Sequence, residues 1–139
     1  MTVAREYTKI TEARSRFREL YDSAERHVPT VVQRDNDTPI ALIRRDDLLR
    51  ALQALCPIEP QVSFSDGGVS MWIDGLPLSS EGADLAGAEA ELVASLRDYA
   101  DTWVEDLHRY PNHDQQWGLV NLILLSADDE LKSHLFGQD

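Results

Sequence analysis

Cysteine is almost missing from this 139-residue chain: Cys56 stands alone, so neither an intrachain disulfide nor a cysteine-based zinc site can form. Long apolar runs are missing too. Leu122–Leu125 is far shorter than the roughly 20 residues a membrane-spanning helix needs, so no membrane role is expected. The opening Met1-Thr-Val-Ala-Arg-Glu has no apolar stretch, so no secretory signal is expected, and a cytoplasmic protein follows. There is no glycine-rich phosphate loop, no nucleophile elbow and no Cys/His pairing, which leaves no support for an enzyme or a bound cofactor. Internal repeats and low-complexity tracts do not occur.

What is present fits folded protein: 42% hydrophobic and 27% charged residues, enough chain for one ordinary domain or two small ones. The charge is unevenly placed. Residues 1–55 carry ten Lys/Arg and nine Asp/Glu, a balance of +1, whereas residues 56–139 carry three and sixteen, a balance of −13. A locally basic front and an acidic back fit two different partners. Phosphate backbones are repelled by the back half, so nucleic acid can meet only the front.

The spacing predicts a short strand at 3–9, then one helix over about 11–26 capped by Thr11, with Ile10, Ala13, Phe17, Leu20, Tyr21 and Ala24 on its apolar face. Thr30–Arg34 and Pro39–Arg44 read as two strands around the turn Asp35-Asn-Asp, and Asp46 or Asp47 caps a second helix. The proline-flanked segment 56–60 reads as a linker. Beyond it, Val62–Ser65 and Val69–Ile73 alternate around Asp66-Gly-Gly as a hairpin, followed by loops that include Ser79–Gly82. A long helix starts at Asp84 and stops at Pro111, a third segment is capped by Asp114, and Ser126-Ala-Asp-Asp opens a last helix with a capping box. The fold class is α+β.

Thr8-Lys-Ile-Thr-Glu-Ala-Arg, Val31-Val-Gln-Arg-Asp-Asn-Asp-Thr-Pro-Ile-Ala-Leu-Ile and Asp46-Asp-Leu-Leu-Arg-Ala-Leu together resemble the Phd/YefM (prevent-host-death) antitoxins over residues 1–55. The resemblance implies a strand–helix–strand–strand–helix unit that forms a homodimer and binds operator DNA upstream of its own operon. It implies that Arg14 and Arg34 contact DNA, and that the region beyond the second helix, here an acidic α+β module over 61–139, binds a protein toxin. The hairpin and long helix are also faintly similar to HicB-type antitoxins. The resulting expectation is a type II antitoxin that neutralises its toxin and represses its own transcription. A free-standing dimeric DNA-binding regulator, with its back half a ligand or assembly domain, is the alternative.

For DNA the candidate residues are Arg5, Lys9, Arg14, Arg18 and Arg34; the bland reading is solvated charges paired with neighbouring acids. Arg14 and Arg18, four apart, are expected on one side of the helix at the margin of its apolar face. Arg44 and Arg45 read as exposed charges at a strand end. For a basic toxin, the candidates are Trp72, Trp103 and Trp117, all in the acidic half. Trp72 alternates with Met71 and Ile73 and so faces away from them. Glu105-x-x-His108 has the spacing of two ligands on one helix face, with His113 and Asp114 nearby. A metal-dependent enzyme on those residues is a further alternative, against a polar helix end as the plain reading; no metal site is expected.

Overall fold

A computed structural model describes residues 3–137. The chain divides into two compact units, Met1–Arg50 and Ala51–Asp139, the division falling inside a helix just ahead of the proline-flanked segment. Each unit is α+β. No helix among the described residues is long and apolar enough to cross a membrane.

The first unit contains β1 (Arg5–Tyr7), α1 (Ile10–Ser15), α2 (Phe17–Glu25), β2 (Thr30–Val32) and β3 (Ile40–Leu42), and α3 (Arg45–Leu55) begins in it. The strands form one sheet in the order β1-β2-β3. β1 runs parallel to β2, with Tyr7 beside Val32, and β3 returns antiparallel, with Ile40 beside Val32. A parallel pair needs a crossover, and α1 and α2 supply it. Tyr7, Ala13 and Leu20 are buried, with Val32 and Leu42 packed against them.

The expected single helix is two. Arg16 leaves helical geometry (φ −112°, ψ 17°), and the hydroxyl of Ser15 donates to the carbonyl of Glu12 at 2.8 Å, competing with the backbone where the ladder breaks. Lys9, not Thr11, precedes the first helical residue, and no side chain caps it. Likewise neither Asp46 nor Asp47 caps α3; both lie in its first turn. Asp47 instead accepts a hydrogen bond from Nδ1 of His27 at 2.8 Å, while Arg44 donates to Nε2 of that ring at 3.2 Å and to the Glu25 carbonyl at 3.0 Å. His27, just past the end of α2, has φ 69°, a left-handed conformation rare outside glycine, and these bonds hold it there.

The second unit begins with β4 (Gln61–Ser65) and β5 (Gly68–Trp72), the expected hairpin around Asp66-Gly67. Ser79–Gly82, expected as loop, is a third strand, β6, paired antiparallel with β5. Its sequence lacks apolar alternation because its inward residue is Ser80, which donates to the carbonyl of Ala88 at 2.7 Å and is 3% exposed. α4 (Leu85–Glu105) packs across β5 and β6 and buries Leu92, Val93, Leu96, Tyr99 and Ala100. Asp84 caps it as expected, accepting from the Gly87 amide at 2.8 Å. α4 ends at Glu105 rather than at Pro111; two short 3₁₀ turns, Leu107–Arg109 and Asp114–Gln116, fill the gap, and Asp114 caps neither them nor the next helix.

α5 (Trp117–Leu125) and α6 (Asp128–Phe136) complete the core with Val120, Leu122, Ile123 and Leu131, none exposed. Only half of the expected capping box forms. The Glu130 carboxylate accepts from the Ala127 amide at 2.9 Å, but Ser126 turns its hydroxyl back to the Leu122 carbonyl at 2.6 Å. Arg97 of α4 holds this corner, donating to the carbonyls of Ile123 and Ser126 and to Asp128 at 2.6 Å.

Gly82 allows the sheet to meet the start of α4. A Cβ there would stand 2.4 Å from the Ala88 nitrogen and 2.8 Å from the Gly87 carbonyl carbon, both backbone. Gly82→Ala is expected to cost about 1–3 kcal/mol in urea unfolding by overpacking. Gly75→Ala, at φ +83° with nothing within 4 Å, should cost only about 1 kcal/mol from the left-handed backbone.

The hydrogen bond from Arg97, then its charge, hold the Asp128 carboxyl below its ordinary value of 3.8, with a smaller pull from Lys132. A depressed carboxyl adds stability above its unfolded value, and that stability is lost as pH falls through the folded value. Arg97→Met should therefore flatten the fall in urea midpoint below about pH 4. At neutral pH it should cost about 1–3 kcal/mol, because two backbone carbonyls lose their donor.

Candidate functional site

In the first unit, two features coincide with the predicted basic residues. Lys9 immediately precedes α1, and the turn after β2 is tied to that junction: the Gln33 amide donates to Tyr7 at 2.7 Å and the Asp35 amide to Thr8 at 3.2 Å. Lys9 and Arg34 thus belong to adjoining loops. Arg34 pairs with Asp37 at 2.7 Å, whereas the side chains of Lys9, Arg14 and Arg18 have no ion-pair or hydrogen-bond partner among the described residues. Arg14 lies in the last turn of α1 and Arg18 in the first turn of α2, so the break at Arg16 separates the two and their four-residue spacing no longer fixes a shared side. Arg5 is drawn to Glu19 at 3.2 Å and stacks 5.9 Å from the Tyr7 ring. Arg44 is engaged with His27 and Arg45 pairs with Asp46 at 2.9 Å, so both serve the fold locally.

Beside the basic residues lies an apolar concavity of about 400 Å³, lined by Ile10, Phe17, Leu20, Val32, Ile40 and Leu42, with Arg14 on its rim. Phe17 is 58% and Ile40 63% exposed, and Ile10 and Tyr21 are also open. The periodicity places Ile10, Phe17 and Tyr21 on a core-facing stripe, yet the structure leaves them in solvent. The excess of apolar positions over what so short a sheet can cover was the available signal.

In the second unit the three tryptophans are not equivalent. Trp72 closes β5 on the face away from Met71 and Ile73, as the alternation predicts, and is 38% exposed. Trp103 is tied into the fold: its indole N–H donates to the His113 carbonyl at 2.7 Å, and its own carbonyl accepts from His108 at 2.9 Å. Trp117 is 56% exposed and borders a groove of about 860 Å³ with Leu55, Ile58, Ile73 and Leu76, whose charged lining is Glu59 and Asp74. Sequence reasoning missed the groove, because its walls come from the α3 end, the linker and two loops.

Cys56 also lines the groove; burial pushes its thiol up, which keeps the thiolate scarce. Glu105 and His108 do not share a helix face, because α4 ends between them. His113 faces the Tyr99 hydroxyl at 3.0 Å, and no group of three His, Cys, Asp or Glu able to hold a metal occurs among the described residues.

Trp103→Phe is expected to cost about 1 kcal/mol in chemical unfolding, because the indole hydrogen bond disappears. Trp117→Phe, at an exposed ring, should stay within about 0.5 kcal/mol.

Comparison with known proteins agrees with this architecture. The family model for PHD-like proteins, described as antitoxin of toxin–antitoxin, RelE/RelB, TA system, matches residues 4–136. The match therefore runs well past residue 55, through the acidic half. No curated protein matches the chain. Among solved structures, an antitoxin part of a presumed toxin/antitoxin system from Syntrophomonas wolfei subsp. wolfei superposes with a TM-score of 0.78 at 25% identity, over 97% of each chain. The α+β arrangement, two three-stranded sheets with six helices among the described residues, is that neighbour's fold. Family and fold point to a regulatory protein rather than an enzyme, and a toxin–antitoxin system implies a cognate toxin as partner. The chain belongs to the PHD-like family of antitoxins of RelE/RelB toxin–antitoxin systems.

Proposed function

We propose that this antitoxin works in the cytoplasm as a Phd/YefM-type homodimer, that residues 1–55 bind operator DNA and repress its operon, and that residues 61–139, beyond the linker 56–60, neutralise the toxin. The observation that carries the reading is the first unit's uncovered apolar face. A unit of fifty residues buries little, and this one exposes Ile10, Phe17, Tyr21 and Ile40 while burying Tyr7, Ala13 and Leu20. A second copy seated on Phe17 and Ile40 closes that core and doubles the basic surface. Lys9, Arg14 and Arg18 are then the free cations available to phosphate, with Arg5 and Arg34 joining by exchanging exposed ion pairs for phosphate oxygens.

The toxin reading is carried by charge. With three Lys/Arg against sixteen Asp/Glu in residues 56–139, the second unit steers a basic protein and repels nucleic acid. A toxin whose substrate is polyanionic carries a basic substrate-binding surface. This module neutralises it by covering that surface, with Trp72, Trp103 and Trp117 as the aromatic candidates for contact.

Two variants separate the roles. Phe17→Asp is expected to sediment as a monomer at micromolar concentration and to bind operator DNA at least about tenfold more weakly, because a dimer reads two half-sites. Arg14→Ala should remain dimeric and lower the slope of log affinity against log salt by about 0.9 for each phosphate that residue 14 no longer neutralises. A chain that binds its promoter but never the protein encoded beside it is a free-standing regulator instead.

A further inference from the structure

The sheet of the second unit has one covered edge and one bare edge. α4 packs against β6, whereas all five residues of β4 are exposed. The register sets Val62 beside Met71 and Phe64 beside Val69. Met71 and Val69 are buried on the face that α4 covers; Val62 and Phe64 stand on that same face and are 43% and 68% exposed. The apolar face of the sheet therefore continues past its helix. Edge strands are normally blunted by charge, proline or a bulge. Gln61-Val-Ser-Phe-Ser65 contains no charge and no proline, and it pairs with β5 in unbroken register.

We propose that β4 is the docking strand for the toxin: an extended segment of that basic protein adds to this edge as a fourth strand. The inference rests on the toxin-neutralising reading above and adds to it the place and mode of contact. Main-chain hydrogen bonds along the edge supply affinity, and alternate apolar side chains of the segment pack on Val62 and Phe64. Charge selects the occupant. Glu59 and Asp66 bracket the strand, so the incoming segment carries Lys or Arg at both ends. A second copy is disfavoured for the same reason. Antiparallel pairing about Ser63 sets Val62 against Phe64, but it brings Asp66 of one copy beside Glu59 of the other at both ends. Phosphate chains meet the same repulsion and offer no strand to pair.

The test uses the full chain and, as probe, the purified product of the open reading frame adjacent to its gene. Hydrogen exchange is measured on the chain alone and in complex, and affinity is measured for wild type, Phe64→Lys and Phe64→Leu. In the complex, amides of 61–65 are expected to exchange at least about tenfold more slowly. Phe64→Lys should weaken binding at least about tenfold, the scale of an aromatic anchor, while Phe64→Leu keeps affinity within about threefold. Exposure of Phe64 predicts unchanged unfolding midpoints for both; if Phe64→Lys does not fold, exchange in the wild-type complex decides alone. A complex that forms without protecting 61–65, or that Phe64→Lys leaves intact, overturns the docking strand and leaves toxin neutralisation standing. Absence of any complex with wild type overturns both. Concentration-dependent protection of 61–65 in the chain alone assigns the edge to self-pairing and overturns the proposal.

Discussion

Burial is the constraint on which this molecule turns, and its two units meet it differently. The second unit lays a 21-residue helix across β5 and β6 of its sheet and packs the apolar α5 and the inner residues of α6 against that helix, so Leu92, Leu96, Leu122, Ile123 and Leu131 are all unexposed. That packing depends on close backbone approach at the sheet edge, where Gly82 meets the first turn of α4 and Ser80 bonds to Ala88. The first unit has three-residue strands and helices of six and nine residues. Such elements present more apolar surface than they cover, and Phe17 and Ile40 remain in water. A second copy is the economical remedy, because a two-fold interface buries the same patch twice.

Electrostatics then divides the labour. In the first unit Lys9 precedes α1, Arg14 lies in its last turn and Arg18 in the first turn of α2, and the proposed dimer would bring two such sets together. In the second unit both arginines are occupied: Arg97 holds the α5–α6 corner and Arg109 pairs with Asp106 at 2.8 Å. Its surface field is therefore set by acids. A field of that sign repels phosphate backbones and attracts basic proteins, which is the basis for proposing DNA as the ligand of the first unit and a basic toxin as that of the second.

Much of the architecture was legible in the sequence. The strand–helix–strand–strand–helix order, the Asp66-Gly67 hairpin and the Asp84 cap follow from local chemistry that the fold does not override. The misreadings share one cause, a tertiary partner taking over a local role. Asp47 looked like a cap but binds His27; Ser126 looked like a cap but bonds back into α5; Ser15 breaks a helix whose apolar period is continuous. β6 was hidden because its inward residue is a serine satisfied by Ala88. For the candidate sites, residue types were readable and assembly was not. Sequence named Trp117 without its groove, and named the basic residues without the break at Arg16 that separates Arg14 from Arg18. Ile10, Phe17 and Tyr21 were read as one core-facing stripe because periodicity reports which side is apolar, not what covers it.

Hydrogen exchange of the wild-type chain on serial dilution tests the central claim, that the first unit is completed by a second copy. Protection of α1, α2, β2 and β3 is predicted to fall together as concentration drops, while α4 and α5 keep theirs, since the second unit closes its own core. Protection of the first unit that does not change with concentration would show that it stands on its own burial, and would contradict the account.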